Sequence, residues 1–424
     1  MFSPLLLAAL LLPQAEAPAD EALRLEVRRL VRQLDAPQLA QRDAAEESLL
    51  KLGPKVLDLL PPVNDRTPAE VVQRTGRIRQ KLQRAMADAA AQSSQVTLQA
   101  DAMPLSKIFA AIQEQTGNKI VDDRGRFGGQ VPDPDLKVSF DKTPFWQALD
   151  RVLDQARLTI YPFAQEKAIH VIVLPEGHAP RAARASYTGP FRIEPVRVSA
   201  ERDLRNPASQ SLGLTLEIAW EPRLAPISLQ QRMADVSAAD ENGNPLAIES
   251  RDAELEVPVE PDAMAKELKI PLGLPPREVR QIARLQGSLL ALLPGKIETF
   301  RFKDLEQAKK VEQRVAGVTV TLDEVRKNNK SWEVRMGVRF DEALGALQSH
   351  RNWIYENEAY LEGPDGKPVK YGIFETIRQL KKEVGLAYFF RTDRPLADYT
   401  FVYKTPGVIL SAPFKYEIRS VKLP

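Results

Sequence analysis

The sequence predicts a multidomain α+β protein with an N-terminal helical segment, a small β-α-β-β-α-β-β domain and a large C-terminal antiparallel β-sandwich region. Two periodicities and the length support this fold class. Apolar residues recur at helical spacing up to about residue 84, whereas beyond residue 186 they alternate with polar residues as in half-buried strands. At roughly 150 residues per domain, a chain of 424 residues has room for about three domains.

Composition limits the chemistry available to this chain. Hydrophobic residues make up 43% and charged residues 27%, which is typical of a globular protein. The formal net charge of +2 provides no strong field for nucleic acid. The chain has no cysteine and three histidines, which excludes disulfides, thiolate nucleophiles and zinc fingers. We therefore predict no nucleic-acid partner, no metal and no cofactor.

Residues 1–17 have the features of a secretory signal peptide. Residues 4–12 form an apolar run too short to span a bilayer, and Ala15-Glu16-Ala17 fits a small-x-small cleavage site. No later stretch approaches the roughly 20 apolar residues of a spanning helix. We expect an exported protein, periplasmic or extracellular, without a transmembrane segment.

Residues 18–92 are expected to form a helical segment, because apolar residues such as Val27, Leu30 and Leu34 lie on one helix face. A basic stripe on its last helix is most simply a solvated face. This stripe consists of Arg74, Arg77, Lys81 and Arg84. The following residues resemble the inner part of a HEAT-type repeat: Arg42, Ala45, Leu49, Leu52 and Gly53.

Residues 95–174 show the order β-α-β-β-α-β-β, with a proline- and glycine-rich insertion at 124–135. They resemble the short N-terminal domain shared by secretins and TonB-dependent receptors. Four segments carry the resemblance: Met103-Pro104-Leu105-Ser106, Gln115-Thr116-Gly117-Asn118, Lys142-Thr143-Pro144-Phe145 and Ala148-Leu149. The resemblance implies a docking module for other envelope proteins, without catalytic residues. Neither a secretin channel nor a receptor barrel pattern follows it.

A linker is expected at 175–185, where prolines and a glycine interrupt the pattern. The alternating residues 186–424 then predict a β-sandwich region. Its length favours two halves, with 186–305 and 306–424 as the candidate division. Similar offsets of about 120 residues between recurring motifs fit either a duplication or the recurring pattern of sandwich strands.

No hydrolase, phosphate-binding or zinc-protease motif stands out in the sequence. We expect structural or surface roles for His170, His178 and His350. Asp240, Asn242 and Asn244 imitate the start of a calcium loop, but Pro245 replaces the required glycine and favours a tight turn.

Carboxylate neighbours such as Asp122-Asp123, or Glu254 with Glu256, are candidates for acid and base chemistry, although solvated charges are the commoner explanation. Alternation predicts that Trp220 and Trp332 pack in the core. Trp353 is the one candidate for a surface aromatic contact.

We therefore expect a non-enzymatic, secreted or periplasmic binding or scaffolding protein of the cell envelope. Residues 95–174 would contact one or more envelope proteins, and no catalytic, cofactor-binding or metal-binding residues are assigned. Two alternatives remain open at this point. One is a carbohydrate-active or other hydrolytic enzyme with a carboxylate site on the β-sandwich. The other is an accessory component of an outer-membrane secretion system.

Overall fold

The computed structural model describes residues 18–57, 59–61, 67–126, 131–161, 166–177, 180–182, 184–206, 208–260, 262–348 and 350–424. The signal peptide expected at 1–17 therefore lies outside the described residues. The fold is mostly β, with five α-helices and several antiparallel sheets among the described residues, which confirms the multidomain α+β class. The chain divides into two compact units between Ala85 and Met86.

The first unit is helical. Its helices bury one apolar face each, including Val27, Leu30, Leu49 and Ile78. The helices are α1 (Pro18–Gln33), α2 (Leu39–Lys51) and α3 (Ala69–Ala90), of which α3 belongs to this unit as far as Ala85.

The basic stripe of α3 is largely used within this unit. Glu46 of α2 is buried and receives Arg74 Nη1 and Arg77 Nη2, each at 2.9 Å, and Lys81 Nζ at 3.4 Å. Arg74 is itself buried and also bonds Glu70 and Asp43. The stripe therefore holds α3 to α2 in addition to facing solvent.

The small domain has the predicted order of elements. Strands β1 and β3 pair antiparallel, and β5 lies between β2 and β4 in a second small sheet. Helices α4 and α5 cover one face with a common core that includes Ile108, Ile112, Leu149 and Val152. The elements are β1 (Gln95–Pro104), α4 (Leu105–Thr116), β2 (Ile120–Asp122), β3 (Asp135–Pro144), α5 (Phe145–Ala156), β4 (Leu158–Ile160) and β5 (Ile169–Val173).

Three of the sequence signals in this domain have clear local reasons. Pro104 and Pro144 directly precede α4 and α5, where the fixed φ of proline suits a helix start. Gly117 ends α4 in the left-handed conformation, with φ 70°, and its N–H donates to the carbonyl of Gln113. Helix geometry alone therefore explains why these three residues stand at these positions.

The first β-sandwich follows. One sheet has the order β12-β8-β7-β6, and the other has the order β10-β13-β9-β11. Their inner faces share one core, with Ile193 and Leu216 from the first sheet and Leu229 and Leu285 from the second. The strands are β6 (Ser186–Thr188), β7 (Phe191–Arg202), β8 (Gln210–Trp220), β9 (Ser228–Arg232), β10 (Ser237–Asp240), β11 (Glu254–Pro258), β12 (Ala265–Leu272) and β13 (Gln281–Pro294).

A second sandwich is built in the same way. A four-stranded sheet, β14-β22-β18-β19, packs on a five-stranded sheet, β15-β16-β17-β21-β20. Phe300 and Phe401 from the first sheet share a core with Val320 and Met336 from the second. The strands are β14 (Ile297–Phe302), β15 (Lys309–Val315), β16 (Val318–Asn328), β17 (Ser331–Phe340), β18 (Ala359–Glu362), β19 (Pro368–Lys370), β20 (Ile373–Gln379), β21 (Glu383–Phe390) and β22 (Thr400–Pro406).

The last strand, β23 (Ile409–Lys422), returns to the first sandwich. It pairs antiparallel with β13 along nearly its whole length, from Gln281 opposite Lys422 to Pro294 opposite Ile409. Phe414 and Ile418 of β23 enter the core of the first sandwich. The two sandwiches are therefore not consecutive in sequence, because the second is inserted between the last two strands of the first.

The small domain is bonded to the first sandwich through buried charges. Arg192 of β7 is fully buried, and its Nε lies 2.6 Å from Asp150 Oδ2 of α5. Its Nη1 lies 2.6 Å from Glu194 Oε2. Arg181, in the segment expected to be a linker, reaches Glu194 and Glu217 at 3.2 and 3.1 Å. This part of the segment is thus fixed in place.

A second buried carboxylate, that of Glu221, joins the same two parts of the chain. It accepts hydrogen bonds from the backbone N–H and the hydroxyl of Ser94, at 2.9 and 2.6 Å, and from Asn118 Nδ2 at 3.0 Å. Arg223 Nε also donates to it, at 2.6 Å.

Within the described ranges, no helix combines the length and the apolar character needed to cross a membrane.

Candidate functional site

A polar cavity of about 370 Å³ lies where the first sandwich meets the loop that follows β17. Strands β9 and β11 contribute one wall, and four residues that follow β17, Leu344, Gly345, Gln348 and Arg351, contribute the other. The lining residues are Gln230, Glu254, Glu256, Leu344, Gly345, Gln348 and Arg351.

Arg351 is the central group of this cavity. Its side chain is only 2% exposed, and its Nε donates to Glu256 Oε1. With the amide NH₂ of Gln230 directed at Glu254 Oε1, 3.0 Å away, the Gln230 oxygen accepts from Nη2 of Arg351. The remaining nitrogen, Nη1, is buried and has no hydrogen-bond partner within the described part of the chain.

Glu254 and Glu256 lie on the same side of β11 because they are two residues apart in a strand. Burial alone would raise the pKa of Glu256, but hydrogen bonds from Arg351 and His350 outweigh it and lower the pKa below its usual value. His350 Nε2 lies 3.1 Å from Glu256 Oε2. Glu256 is therefore ionised at neutral pH, where it accepts hydrogen bonds from both groups.

The backbone at the rim of the cavity is unusual. Leu344 and Gly345 are consecutive residues in the left-handed region, with φ values of 48° and 76°. This conformation costs energy for a leucine, and such strain tends to occur at functional sites. Leu344 is also 47% exposed, so it presents an apolar side chain beside a polar cavity.

The surface of the small domain is a second candidate. The outer face of the β1–β3 sheet is polar, because exposed residues such as Gln99, Lys137 and Ser139 alternate with buried ones. At Thr97, where the register shifts, Gln115 accepts from the backbone N–H at 2.9 Å and donates to the carbonyl at 3.1 Å. No strand other than β1 pairs with β3 among the described residues.

The structure places the remaining candidates in local roles. Trp353 is half-buried, packs edge-on against Phe340 at 5.9 Å between ring centroids, and donates from Nε1 to the carbonyl of Ala346 at 2.7 Å. Trp220 is buried in the core of the first sandwich, as predicted. Trp332 is partly buried and packs against the core of the second sandwich.

The acidic and histidine candidates outside the cavity form separate local contacts. Asp240 Oδ1 accepts from the backbone N–H groups of Asn242 and Asn244, both at 2.8 Å, which forms the predicted tight turn. Asp123 lies 2.7 Å from Nδ1 of buried His170. Asp122 pairs instead with Arg124. His178 falls outside the described residues.

Sequence reasoning missed the groups that complete the cavity. It noted Glu254 and Glu256, but not that Gln230, His350 and Arg351 meet them. No signal in the sequence connects these residues, because Arg351 is 95 positions from Glu256. Among the residues described, no three His, Asp or Glu side chains are grouped so as to hold a metal ion.

Comparison of the chain with models of known families, with curated proteins and with solved structures gives no match.

Proposed function

We propose that this chain is an exported, non-enzymatic binding or scaffolding protein of the cell envelope, and that residues 95–174 are its protein-docking module. The partner would be another envelope protein. The observation that carries the proposal is strand β3, whose side opposite β1 pairs with no strand of the described chain. A strand edge presents N–H and C=O groups that a partner strand can bond.

The polar outer face of the β1–β3 sheet supports this role. A partner strand added beside β3 would extend the sheet and place its own side chains next to Lys137 and Ser139. Main-chain bonds would then provide affinity, and the neighbouring side chains would provide selectivity.

The attachment of the small domain also supports it. The Asp150–Arg192 pair and the Glu221 network hold the domain on the first sandwich. A partner bound at β3 would therefore be fixed relative to the sandwich rather than carried on a flexible tether. Such a rigid connection suits a scaffold.

Site-specific crosslinking tests the proposal. The chain contains no cysteine, so Lys137→Cys places a photoactivated thiol-reactive crosslinker at one position on the outer face beside the β3 edge. Lys367→Cys is the matched control, because its side chain is also highly exposed, at 83%, but lies in the second sandwich. Both variants are expressed in the native host and irradiated in intact cells.

We expect a discrete crosslinked envelope protein from position 137 and not from position 367. When Ser139→Pro is added to the Lys137→Cys variant, the crosslink to this partner should disappear, since a proline in the strand weakens strand addition. Circular dichroism of that double variant checks that the domain is folded. Identical crosslinks from both positions, or none at position 137, contradict a docking role for this edge.

A further inference from the structure

Strand β20 forms one edge of the five-stranded sheet of the second sandwich, and its side opposite β21 pairs with no strand in the described part of the chain. Six of its seven residues are exposed. Ile373 and Ile377 are 60% and 40% exposed, and Leu380, directly after the strand, is 55% exposed. Soluble proteins usually protect such an edge from pairing with another chain, so an uncovered apolar edge indicates an interaction surface.

The opposite edge of the same sheet, β15, is protected by charge. Lys309, Lys310, Glu312 and Arg314 are all exposed along it, and Val311 is its one exposed apolar residue. Lys310 also has a left-handed φ of 50°, which interrupts the extended backbone. Charges and irregular backbone are common means of preventing strand addition. The two edges therefore differ, and β20 is the one suited to pairing.

A bulge between Thr376 and Arg378 determines which side chains of β20 share a face. Ile373 and Glu375, before the bulge, and Arg378, after it, lie opposite alternate residues of β21. Alternate residues of a strand point to the same side, so these three side chains share the face turned away from the sandwich core. Leu380 donates its backbone N–H to the next of these β21 residues, at 2.8 Å, and so continues the row.

This row of side chains is complementary to itself when two copies run antiparallel. The register that places Ile373 opposite the partner's Leu380 also places Glu375 opposite the partner's Arg378. Two-fold symmetry repeats each contact, which gives two apolar pairs and two pairs of opposite charge. Such pairs stabilise neighbouring antiparallel strands when they face each other directly.

We propose that two copies of this chain associate by antiparallel pairing of their β20 strands, which joins their five-stranded sheets into one. Arg378 contacts Glu383 of its own chain through Nη2, at 2.5 Å, and a guanidinium has donors on two further nitrogens for the partner's Glu375. Each copy contributes the same edge, so the contact closes at two copies and does not continue as a fibre.

The size of the contact sets its expected strength. Pairing of residues 373–380 from two chains buries less surface than the roughly 1,600 Å² of a standard stable interface. We therefore expect a reversible dimer that forms at micromolar concentration or above. Its charged pairs lie at the surface, so added salt should weaken it.

Analytical ultracentrifugation of the full chain, from micromolar to submillimolar concentration, tests the proposal. We expect a monomer–dimer equilibrium without larger species. Ile373→Lys places a charge in the apolar pairs and should weaken the dimer about tenfold or more. Val311→Lys is the matched control, because Val311 is 42% exposed on the opposite edge and should leave association unchanged. Melting temperatures check that both variants are folded.

Exchange of the charged residues tests the register itself. In the dimer, Glu375→Arg would place two arginines opposite each other, and Arg378→Glu would place two glutamates opposite each other. Each variant alone should therefore associate about tenfold more weakly than the unmodified protein. A mixture of the two variants restores both pairs of opposite charge, so a dimer should form between them with about the original affinity. Local damage to the strand would not be repaired by mixing.

Weaker association of Ile373→Lys and of both charge variants, with recovery in the mixture, supports the dimer. Three results overturn it: a monomer throughout the concentration range, equal association of Ile373→Lys and Val311→Lys, and no recovery on mixing charge variants that melt like the unmodified protein. If a charge variant melts earlier, the comparison of Ile373→Lys with Val311→Lys decides alone. Docking at β3 is decided separately by the crosslinking test.

Discussion

Asp150 Oδ2 lies 2.6 Å from Nε of Arg192, and both side chains are fully buried. The aspartate belongs to α5 of the small domain, and the arginine belongs to β7 of the first sandwich. Tyr187 also donates to the same carboxylate oxygen, at 2.7 Å. Because a buried charge without its partner is strongly destabilising, this pair couples the stability of the small domain to that of the sandwich.

Removing one member of the pair should therefore destabilise the protein. We expect Asp150→Ala to lower the free energy of unfolding by about 3–5 kcal/mol, because it leaves the Arg192 guanidinium short of a counter-charge. Asp101→Ala is the control, since the Asp101 side chain is 92% exposed and should change stability by less than about 0.5 kcal/mol. Urea denaturation measures both.

Replacing the pair by apolar residues provides a second check. The double variant Asp150→Leu with Arg192→Met should recover part of the loss, since it removes both members of the pair while Glu194 keeps Arg181 as its partner, at 3.2 Å. If Asp150→Ala costs no more than Asp101→Ala, the pair does not couple the two parts of the chain.

The Glu221 network should control local opening of the small domain. Glu221→Ala removes the acceptor of Ser94 and Asn118, and hydrogen exchange should then quicken in peptides that contain these residues. Peptides from the second sandwich should keep their protection. Glu278→Ala, an exposed glutamate in the first sandwich, is the control. Uniformly faster exchange throughout the chain would point to global destabilisation instead.

Glu333 should contribute acid-sensitive stability to the second sandwich. Burial would raise its pKa, but hydrogen bonds from Arg326, Arg335 and Asn328 lower it from an ordinary 4.5 to about 2. Since the pKa of the folded protein lies below that of the unfolded chain, the contribution is present above pH 4.5 and is lost as the pH falls towards 2.

Glu333→Gln should accordingly unfold at a lower temperature than the unmodified protein at pH 7, and the difference should shrink between pH 4.5 and 2. Melting temperatures across this range measure the effect. Glu342→Gln, at an exposed position after β17, should show no such convergence. A constant difference at every pH would mean that the ionised form of Glu333 is not the stabilising one.

Export is testable independently of the fold. If residues 1–17 are a signal peptide, protein isolated from the native envelope should begin at Pro18, because cleavage follows Ala17. Amino-terminal sequencing decides this directly. Recovery of chains that begin at Met1, or only from the cytoplasm, would contradict export.

Local pattern was sufficient for much of the fold. The alternation of Leu214, Leu216 and Ile218 predicts a half-buried strand, and β8 buries these side chains in a sandwich core. Pro104 and Gly117 predict where a helix begins and ends, and α4 runs between them. These signals work because each depends on residues within one or two turns of the chain.

The partners of long-range groups were not predictable in this way. Asp150 and Arg192 are 42 positions apart, and Arg351 and Glu256 are 95 apart. The expected linker at 175–185 contains Arg181, whose bonds to Glu194 and Glu217 no local pattern shows. Each of these pairs depends on how whole strands and helices pack, which spacing along the chain does not encode.

By itself, the sequence determined the class of each segment and the order of elements in the small domain, because side-chain periodicity reflects the local backbone. The tertiary structure alone decided that β23 pairs with β13 and so closes the first sandwich around an inserted second one. It also decided that Gln230, Glu256 and Arg351 meet at one cavity. The physical reason is that sheet pairing and ion pairing are satisfied between surfaces brought together by folding, whatever their separation in sequence.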